Sequence, residues 1–590
     1  MTDNTSGPIQ AAPRPPAPPA PRDPSRISAD SAPVSNSAPV AASASRFNPN
    51  AADVTRADLP PRPLSKIAEA TSPYTRLQRS GAASKLNENL RSEDEVETLK
   101  GAYRAVAKNM DTSLEVPTAT SARQIPAKLL IENRAVINGH LARTRGGKVS
   151  FTHLIGYALV EALVEMPSMN VRYTMDEKGK PAIEHFAHVG FGLAIDVPRR
   201  DGSRMLMVPV IHEADTLTFA EFVDKYEDIV RRTREGKLTG DDFSGGTVTL
   251  TNPGTIGTTH SVPRLMKGQG SIIGVGATNY PVEWAGASPQ RLAELGVGKI
   301  MTMTSTYDHR IIQGAASGEL LRIVSRKLAG QDGFYDRVFD SMRVPYVPYR
   351  WETDKEYDSE REKGKPARIV EFIHAYRVAG HLAANTDPLD YKVRRHPDLN
   401  LSSYGLNVWD LDRSFPTGGF GGRDYMTLRE IIEQLRDTYT RTVGIEYMHM
   451  VDPKQRAWIQ ERVEKPWEKP SLETQRHIMT MLNKAEAFEH FLQTKYIGQK
   501  RFSLEGSESL IPLLDRVLWV AAHDNIAEVG IGMAHRGRLN VLANIAGKSY
   551  AQIFSEFEGN TDPRTVQGSG DVKYHLGTEG VYTSDDGAAT

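Results

Sequence analysis

Apolar residues recur at a helical period in several separate stretches of the chain. Phe219, Phe222, Tyr226 and Ile229 share one face behind Thr218 and Glu221, which have capping-box spacing. Ile369, Phe372, Ile373 and Tyr376 line a second such face, and Leu539, Val541, Leu542 and Ile545 suggest a third. The same pattern predicts helices over 97–110, 127–141, 151–165, 426–435, 454–463, 472–492 and 510–521. Strand-like runs fall at 189–197, 205–210, 246–251, 271–275 and 300–306, and 113–120 reads as extended. The apolar triplet Val529-Gly530-Ile531 reads as the end of a buried strand. Helices with strands before and after them predict an α/β domain over 97–335, a mixed sheet covered by helices. From 366 to 590 the chain turns mainly helical.

Composition changes this picture at the two places where the pattern fails. Ten of the 36 prolines lie in the first 40 residues, among Ala and Ser, so 1–96 is expected to be a disordered arm unable to bury enough apolar surface. Residues 336–365, rich in charge towards their end, are expected to be an exposed linker. The chain has 590 residues, enough for three or four domains. Its net charge of −1 provides no global field for nucleic acid or membrane, so any anion site must be local. The absence of cysteine excludes disulfides, thiolate metal sites and thiol nucleophiles. With no apolar run of membrane-spanning length and no secretory leader, a cytoplasmic protein is expected.

Candidate chemistry gathers in four stretches. Gly532-Met533-Ala534-His535-Arg536-Gly537-Arg538 follows the expected strand end, and Gly570-Asp571-Val572-Lys573-Tyr574-His575 comes about forty residues later. Two Arg and a His at a strand-to-helix turn suit an anionic ligand, because the planar guanidinium matches carboxylate and phosphate; a solvated surface turn is the plain alternative. Ser305-Thr306-Tyr307-Asp308-His309-Arg310 closes a strand and is expected to open a helix, and Thr247 to Gly254 forms a strand ending in a glycine turn. The glycines of 418–422 read as an ordinary loop, since no Lys-Ser or Lys-Thr follows. His374 and His449 have no partner at metal-ligand spacing and read as satisfied structural histidines; no metal ligand is assigned.

These stretches carry a resemblance. The His535 and His575 motifs, with 502–506 and 369–381, resemble the thiamine-diphosphate-dependent decarboxylase component of 2-oxoglutarate dehydrogenase. The His309 and Thr251 stretches resemble the dihydrolipoyl acyltransferases, whose fold is chloramphenicol-acetyltransferase-like. Together, from about 97 to 590, they resemble the actinobacterial multifunctional proteins that fuse a succinyltransferase-like domain to that decarboxylase. The resemblance implies that His309 is a general base towards a thiol and Thr251 a donor to the oxyanion. It also implies that Arg536 and His575 face 2-oxoglutarate and the cofactor, with His535 beside them in the catalytic pocket. One position departs: the acyltransferases place Asp four residues after the His, and here Gln313 precedes Gly314.

The implied cofactors are thiamine diphosphate with Mg²⁺, and the implied co-substrates are coenzyme A and lipoamide. Implied partners are a lipoyl-bearing acyltransferase subunit, dihydrolipoamide dehydrogenase and further copies of the chain, as an acyltransferase trimer and a decarboxylase dimer. Glu352-Thr353-Asp354-Lys355 copies a lipoylation sequence, but its charged flanks do not suit the hairpin a lipoyl lysine needs. The Gly-Asp-Gly and later Asn that hold Mg²⁺ and diphosphate in thiamine enzymes do not occur, so the chain reads as the first part of a longer enzyme. A stand-alone succinyltransferase and a non-catalytic trimeric scaffold are the competing readings.

Overall fold

A computed structural model describes residues 96, 98–144, 146–198, 204–352, 359–389, 391–466, 468–498, 501–558, 577–584 and 587–590. The chain divides into two units, 1–98 and 99–590, and every element below belongs to the second. Nearly all of the expected arm lies outside the described residues.

The first elements are α1 (Ala102–Ser113), β1 (Thr118–Pro126), α2 (Lys128–Arg143) and α3 (Phe151–Glu165). Strands β2 (Val171–Met175), β3 (Pro181–His185), β4 (Phe191–Leu193), β5 (Ile195–Pro198), β6 (Arg204–Met207) and β7 (Val210–Ile211) follow. Next come α4 (Phe219–Glu235), β8 (Val248–Thr251), β9 (Ser271–Val275), α5 (Pro289–Glu294), β10 (Ile300–Asp308), α6 (Gly314–Leu328) and α7 (Phe334–Ser341). One six-stranded sheet runs β1-β10-β9-β8-β4-β7, while β2-β3 and β5-β6 form separate hairpin ribbons. β8 lies parallel to β4 and β9, and the remaining pairings of the large sheet are antiparallel. It is therefore the mixed sheet expected.

α4 begins where the sequence predicts. Thr218 accepts from the Glu221 N–H and the Glu221 carboxylate returns to the Thr218 N–H, two helix-end donors satisfied at once. Phe219, Phe222 and Ile229 are buried on the predicted face. Two expected strands, by contrast, are broken. Run 189–197 splits into β4, which joins the large sheet, and β5, which leaves it to pair with β6. Run 205–210 splits likewise into β6 and β7. At the first break the Ala194 N–H still reaches the Leu250 carbonyl, so the switch costs no sheet bond there. Ser113 ends α1 rather than opening a strand.

The second half contains α8 (Ser359–Ala379), a short β11 (Ser414–Pro416) and β12 (Tyr425–Thr427) hairpin, α9 (Leu428–Tyr439), α10 (Pro453–Val463), α11 (Leu472–Lys495), α12 (Leu510–His523), α13 (Arg538–Asn544) and α14 (Tyr550–Phe557). The face of Ile369, Phe372, Ile373 and Tyr376 is buried, as its period requires. Val529-Gly530-Ile531 forms no strand: it pairs with no described strand, and Val529 and Ile531 are exposed. His374 and His449, expected to be structural rather than metal-ligating, are exposed.

The region expected to be a linker is largely built into the fold. α7 occupies 334–341, α8 starts at Ser359, and Val338, Phe339, Val344 and Tyr346 are buried; 353–358, with Asp354 and Lys355 of the lipoyl-like stretch, lie outside the described residues. One hydrophobic cluster runs without a break from Ile125 through Phe334 and Tyr346 to Phe372, Tyr376 and Tyr447. Each of those side chains contributes about 1.5–3 kcal/mol by leaving water. Separate, smaller clusters serve α11 to α14.

Charged groups also tie the halves together. Glu132 on α2, 3% exposed, receives both Arg429 Nη atoms, one at 2.9 Å, and lies 3.1 Å from Lys128 Nζ. Lys128 and Arg429 in turn reach Asp412. Glu132→Ala would leave two cations short of a carboxylate in a mostly dry site. A loss of about 2 kcal/mol is expected, limited because Arg429 keeps some solvent. Urea unfolding of the variant beside Arg423→Ala, an exposed pair expected to cost under about 1 kcal/mol, measures the difference.

Candidate active site

Strand β10 ends at Asp308, and His309 follows on an exposed turn. Its backbone N–H donates to the Pro117 carbonyl at 2.9 Å, fastening the turn to the start of β1. The ring Nδ1 lies 3.1 Å from the Ile312 carbonyl. A carbonyl only accepts, so Nδ1 carries the proton and Nε2 is left with its lone pair, the tautomer a general base requires. The buried Tyr307 ring stands edge-on to the imidazole at 5.5 Å and limits its tilt. Helix α6 opens only at Gly314, so His309 stands on a turn rather than on a helix, as the sequence had suggested.

The neighbouring Arg310 is held without a carboxylate at 313. Its Nε and Nη2 donate to the two oxygens of the buried Asp308 at 2.9 and 2.6 Å, and its guanidinium lies 3.8 Å from the Tyr173 ring centre. The Asp308 hydrogen bond holds the Arg310 pKa above its ordinary value. Gln313, exposed at the N-cap of α6, therefore leaves Arg310 anchored.

Thr251 is the last residue of β8 and half-buried. The turn after it is set by two contacts. Asn252 Nδ2 donates to Thr152 Oγ1 at 3.0 Å, and Gly254 packs so close to Gly276 that a Cβ would fall 2.4 Å from its carbonyl carbon. Only glycine fits there. Thr152 belongs to the first turn of α3, where the buried His153 completes a capping box by accepting the Ser150 N–H at Nδ1.

Burial pushes the His153 imidazole down to about 4 from an ordinary 6.5. Its Nε2 lies 3.1 Å from Glu227 without hydrogen-bonding geometry. Protonation at Nδ1 would remove the acceptor of the capping box. Below pH 6.5 the unfolded chain takes up this proton and the folded chain does not. The contribution is thus whole above 6.5 and lost as pH falls towards 4, at most about 3 kcal/mol. A Tm series over that range is expected to fall more steeply for the parent than for His153→Gln, which can keep the box without titrating.

The register shows what Thr251 and His309 cannot do within one chain. Thr251 is level with Gly274 on β9, and Gly274 with Thr304 on β10. Asp308 lies four residues further along β10, beside Thr118 and beyond the start of β8. At about 3.3 Å per residue the two side chains stand at opposite ends of the sheet, roughly 15 Å apart along the strands. A base and an oxyanion donor must both come within about 3 Å of the reacting group.

At the other end, His535 and Arg536 precede α13 and are both exposed. The His535 ring lies 4.3 Å from that of Phe502, and the Gly537 N–H donates to the Phe502 carbonyl at 2.8 Å. Gly537 has φ 71°, and a Cβ there would meet Leu504 at 2.5 Å. The buried Asn540 anchors the helix through Nδ2 to the Ala485 carbonyl and to Glu489, each at 3.0 Å. His575 lies outside the described residues, so its position relative to Arg536 is not described.

Residues 91–331 match the family described as 2-oxoacid dehydrogenases acyltransferase (catalytic domain). The multifunctional 2-oxoglutarate metabolism enzyme of Mycolicibacterium vanbaalenii is 56% identical over 493 residues, covering 83% of this chain and 39% of that protein. The 2-oxoglutarate dehydrogenase E1/E2 component of Corynebacterium glutamicum is 55% identical over 489 residues, covering 82% and 40%. The chain is a homologue of these multifunctional enzymes. It spans about two fifths of the length of these relatives. Among solved structures it is similar to the dihydrolipoamide acetyltransferase of Azotobacter vinelandii, with 25% identity, TM-score 0.36 and 41% and 94% coverage. A truncated catalytic core of the 2-oxoacid dehydrogenase multienzyme complex from Thermoplasma acidophilum gives 24%, 0.34, and 40% and 100%.

Three contributors escaped the sequence reading. Asp308 belongs to the His309 motif, yet nothing in the sequence marks it as the anchor of Arg310. Thr152 and the Ile312 carbonyl act on residues that sequence spacing does not associate with them. Only the Thr152–Asn252 contact joins distant elements; Asp308 with Arg310 and Ile312 with His309 meet within the turn that follows β10, whose conformation no period announces.

Proposed function

We propose that the chain is an acyl-transferring part of the 2-oxoglutarate dehydrogenase complex, moving succinyl between dihydrolipoamide and coenzyme A. The observation that carries the proposal is the His309 imidazole, solvent-facing, with Nδ1 bonded to the Ile312 carbonyl and Nε2 left basic. His309 Nε2 takes the proton of the incoming thiol, and the thiolate sulfur attacks the thioester carbonyl carbon. The Thr251 hydroxyl donates a hydrogen bond to the tetrahedral oxyanion, which collapses with loss of the second thiolate; His309 gives that thiolate the proton it took.

Since one sheet keeps the two residues at opposite ends, the working site takes His309 from one copy and Thr251 from another, which makes a homo-oligomer part of the proposal. Lipoyl groups would come from a partner subunit, and dihydrolipoamide dehydrogenase would reoxidise them in the same complex. No described helix is long and apolar enough to cross a membrane. The absence of cysteine fits a reducing, cytoplasmic setting.

Within 366–590, we assign Arg536 to a carboxylate of 2-oxoglutarate, with His535 and His575 beside the ketone. Arg536 is exposed and stands next to His535 on the loop leading into α13. Among the described residues no group of three acidic, histidine or cysteine side chains could hold a metal ion, and the Gly-Asp-Gly with a later Asn that the resemblance implies for Mg²⁺ and diphosphate is not in the sequence given. No step is therefore routed through that cofactor.

The direct test supplies succinyl-CoA and dihydrolipoamide to the purified chain and follows release of free coenzyme A. Turnover that disappears in His309→Ala is expected. An intact, folded oligomer with no turnover would overturn the proposal in favour of a scaffold.

A further inference from the structure

Helix α6 begins just past the His309 turn, and its first N–H groups point back along the axis towards that turn. Its N-cap is Gln313, whose side chain makes no capping bond. Gly314 and Ala315 are exposed, and among the described residues none accepts the N–H of Gly314, Ala315 or Ala316. With 15 residues behind it, this helix end carries a partial positive charge that no acidic side chain in its first turn offsets.

A helix end alone selects nothing, but here a second donor is aimed at it. Tyr307, 3% exposed, lies on β10 so that a Cβ at Gly314 would stand 3.2 Å from its hydroxyl. No described residue hydrogen-bonds that hydroxyl. A buried phenol normally finds a partner, so an unengaged one beside bare N–H groups points to a ligand. The same ring stands edge-on to the His309 imidazole at 5.5 Å, which leaves the helix end and the general base one tyrosine apart. Arg310, the cation of this turn, is already committed to Asp308.

We propose that the N-terminus of α6, together with the Tyr307 hydroxyl, is the subsite for the free carboxylate of the succinyl group. The inference rests on the acyl-transfer reading and gives it a substrate preference. A succinyl thioester carries its carboxylate two methylenes beyond the carbonyl that the thiolate attacks. An acyl group without that carboxylate leaves these donors unpaired. Gln313 belongs to the arrangement. An Asp at that position, as in the acyltransferases the chain resembles, would cap the same N–H groups and oppose the substrate with a like charge.

The test titrates the whole chain calorimetrically with succinyl-CoA and with butyryl-CoA, without an acceptor thiol, so that binding is read apart from chemistry. Succinyl-CoA is expected to bind about tenfold more tightly, the usual effect of a hydrogen bond to a charged group. Tyr307→Phe and Gln313→Asp should each remove most of that advantage, while butyryl-CoA reports what either change does to the rest of the pocket. With dihydrolipoamide added, the ratio of kcat/KM for the two esters should follow the ratio of affinities through the same variants, because damage to His309 slows both esters alike. A succinyl advantage that both variants abolish, in a chain without turnover, would sink the transfer reading and keep the subsite. Equal affinities in the parent, or an advantage that survives in both variants, overturns the subsite whether or not the chain turns over.

Discussion

Replacing His309 with alanine is expected to slow succinyl transfer by about 10²–10⁴-fold, the usual worth of a positioned general base. The fold should not notice. The residue is exposed, its ring makes one hydrogen bond to the Ile312 carbonyl, and its backbone contact to Pro117 survives the substitution. Steady-state coenzyme A release and a melting curve on the same preparation separate the two effects. Equal loss of turnover and stability would mean that the histidine is structural. Thr251→Ala should cost about 10²-fold or more by removing a single oxyanion donor. Its neighbours Asn252 and Gly254 keep the turn in place through Thr152 and Gly276.

The second large effect is a recovery. When His309→Ala and Thr251→Ala chains are produced together so that copies mix, activity is expected to return to about a quarter of the parent's. Each site then draws its histidine and its threonine independently, each intact about half the time. This expectation rests on the register alone. Thr251 is level with Gly274 and Thr304, whereas His309 follows Asp308 at the far end of β10. A co-produced mixture as inactive as either variant would show that the two residues never share a site. The assignment of Thr251 would then fall, while that of His309 would stand on its own variant.

What could be read in advance divides along physical lines. Helix α3 is found over the predicted residues and α4 begins at the predicted cap, because periodicity and capping are written locally. The buried quartet of α8 was legible for the same reason. The split of 189–197 into β4 and β5 was not, since the residue that leaves the sheet is decided by β8 and β6 bidding for the same backbone. Val529 to Ile531 had a strand's apolarity but no described partner ladder, and apolarity without a ladder does not make a strand. The candidate residues were individually visible in their motifs. Their distance from one another was invisible, because strand order leaves no mark on the spacing of Thr251 and His309.

The unbroken cluster from Ile125 to Tyr447 makes the polypeptide bond between the two resembled enzymes almost redundant. Nicking the chain between Trp351 and Ser359 should yield fragments that elute together and melt as one body. The α/β part and the helical part would then be held together by their shared interior rather than by the peptide bond between them.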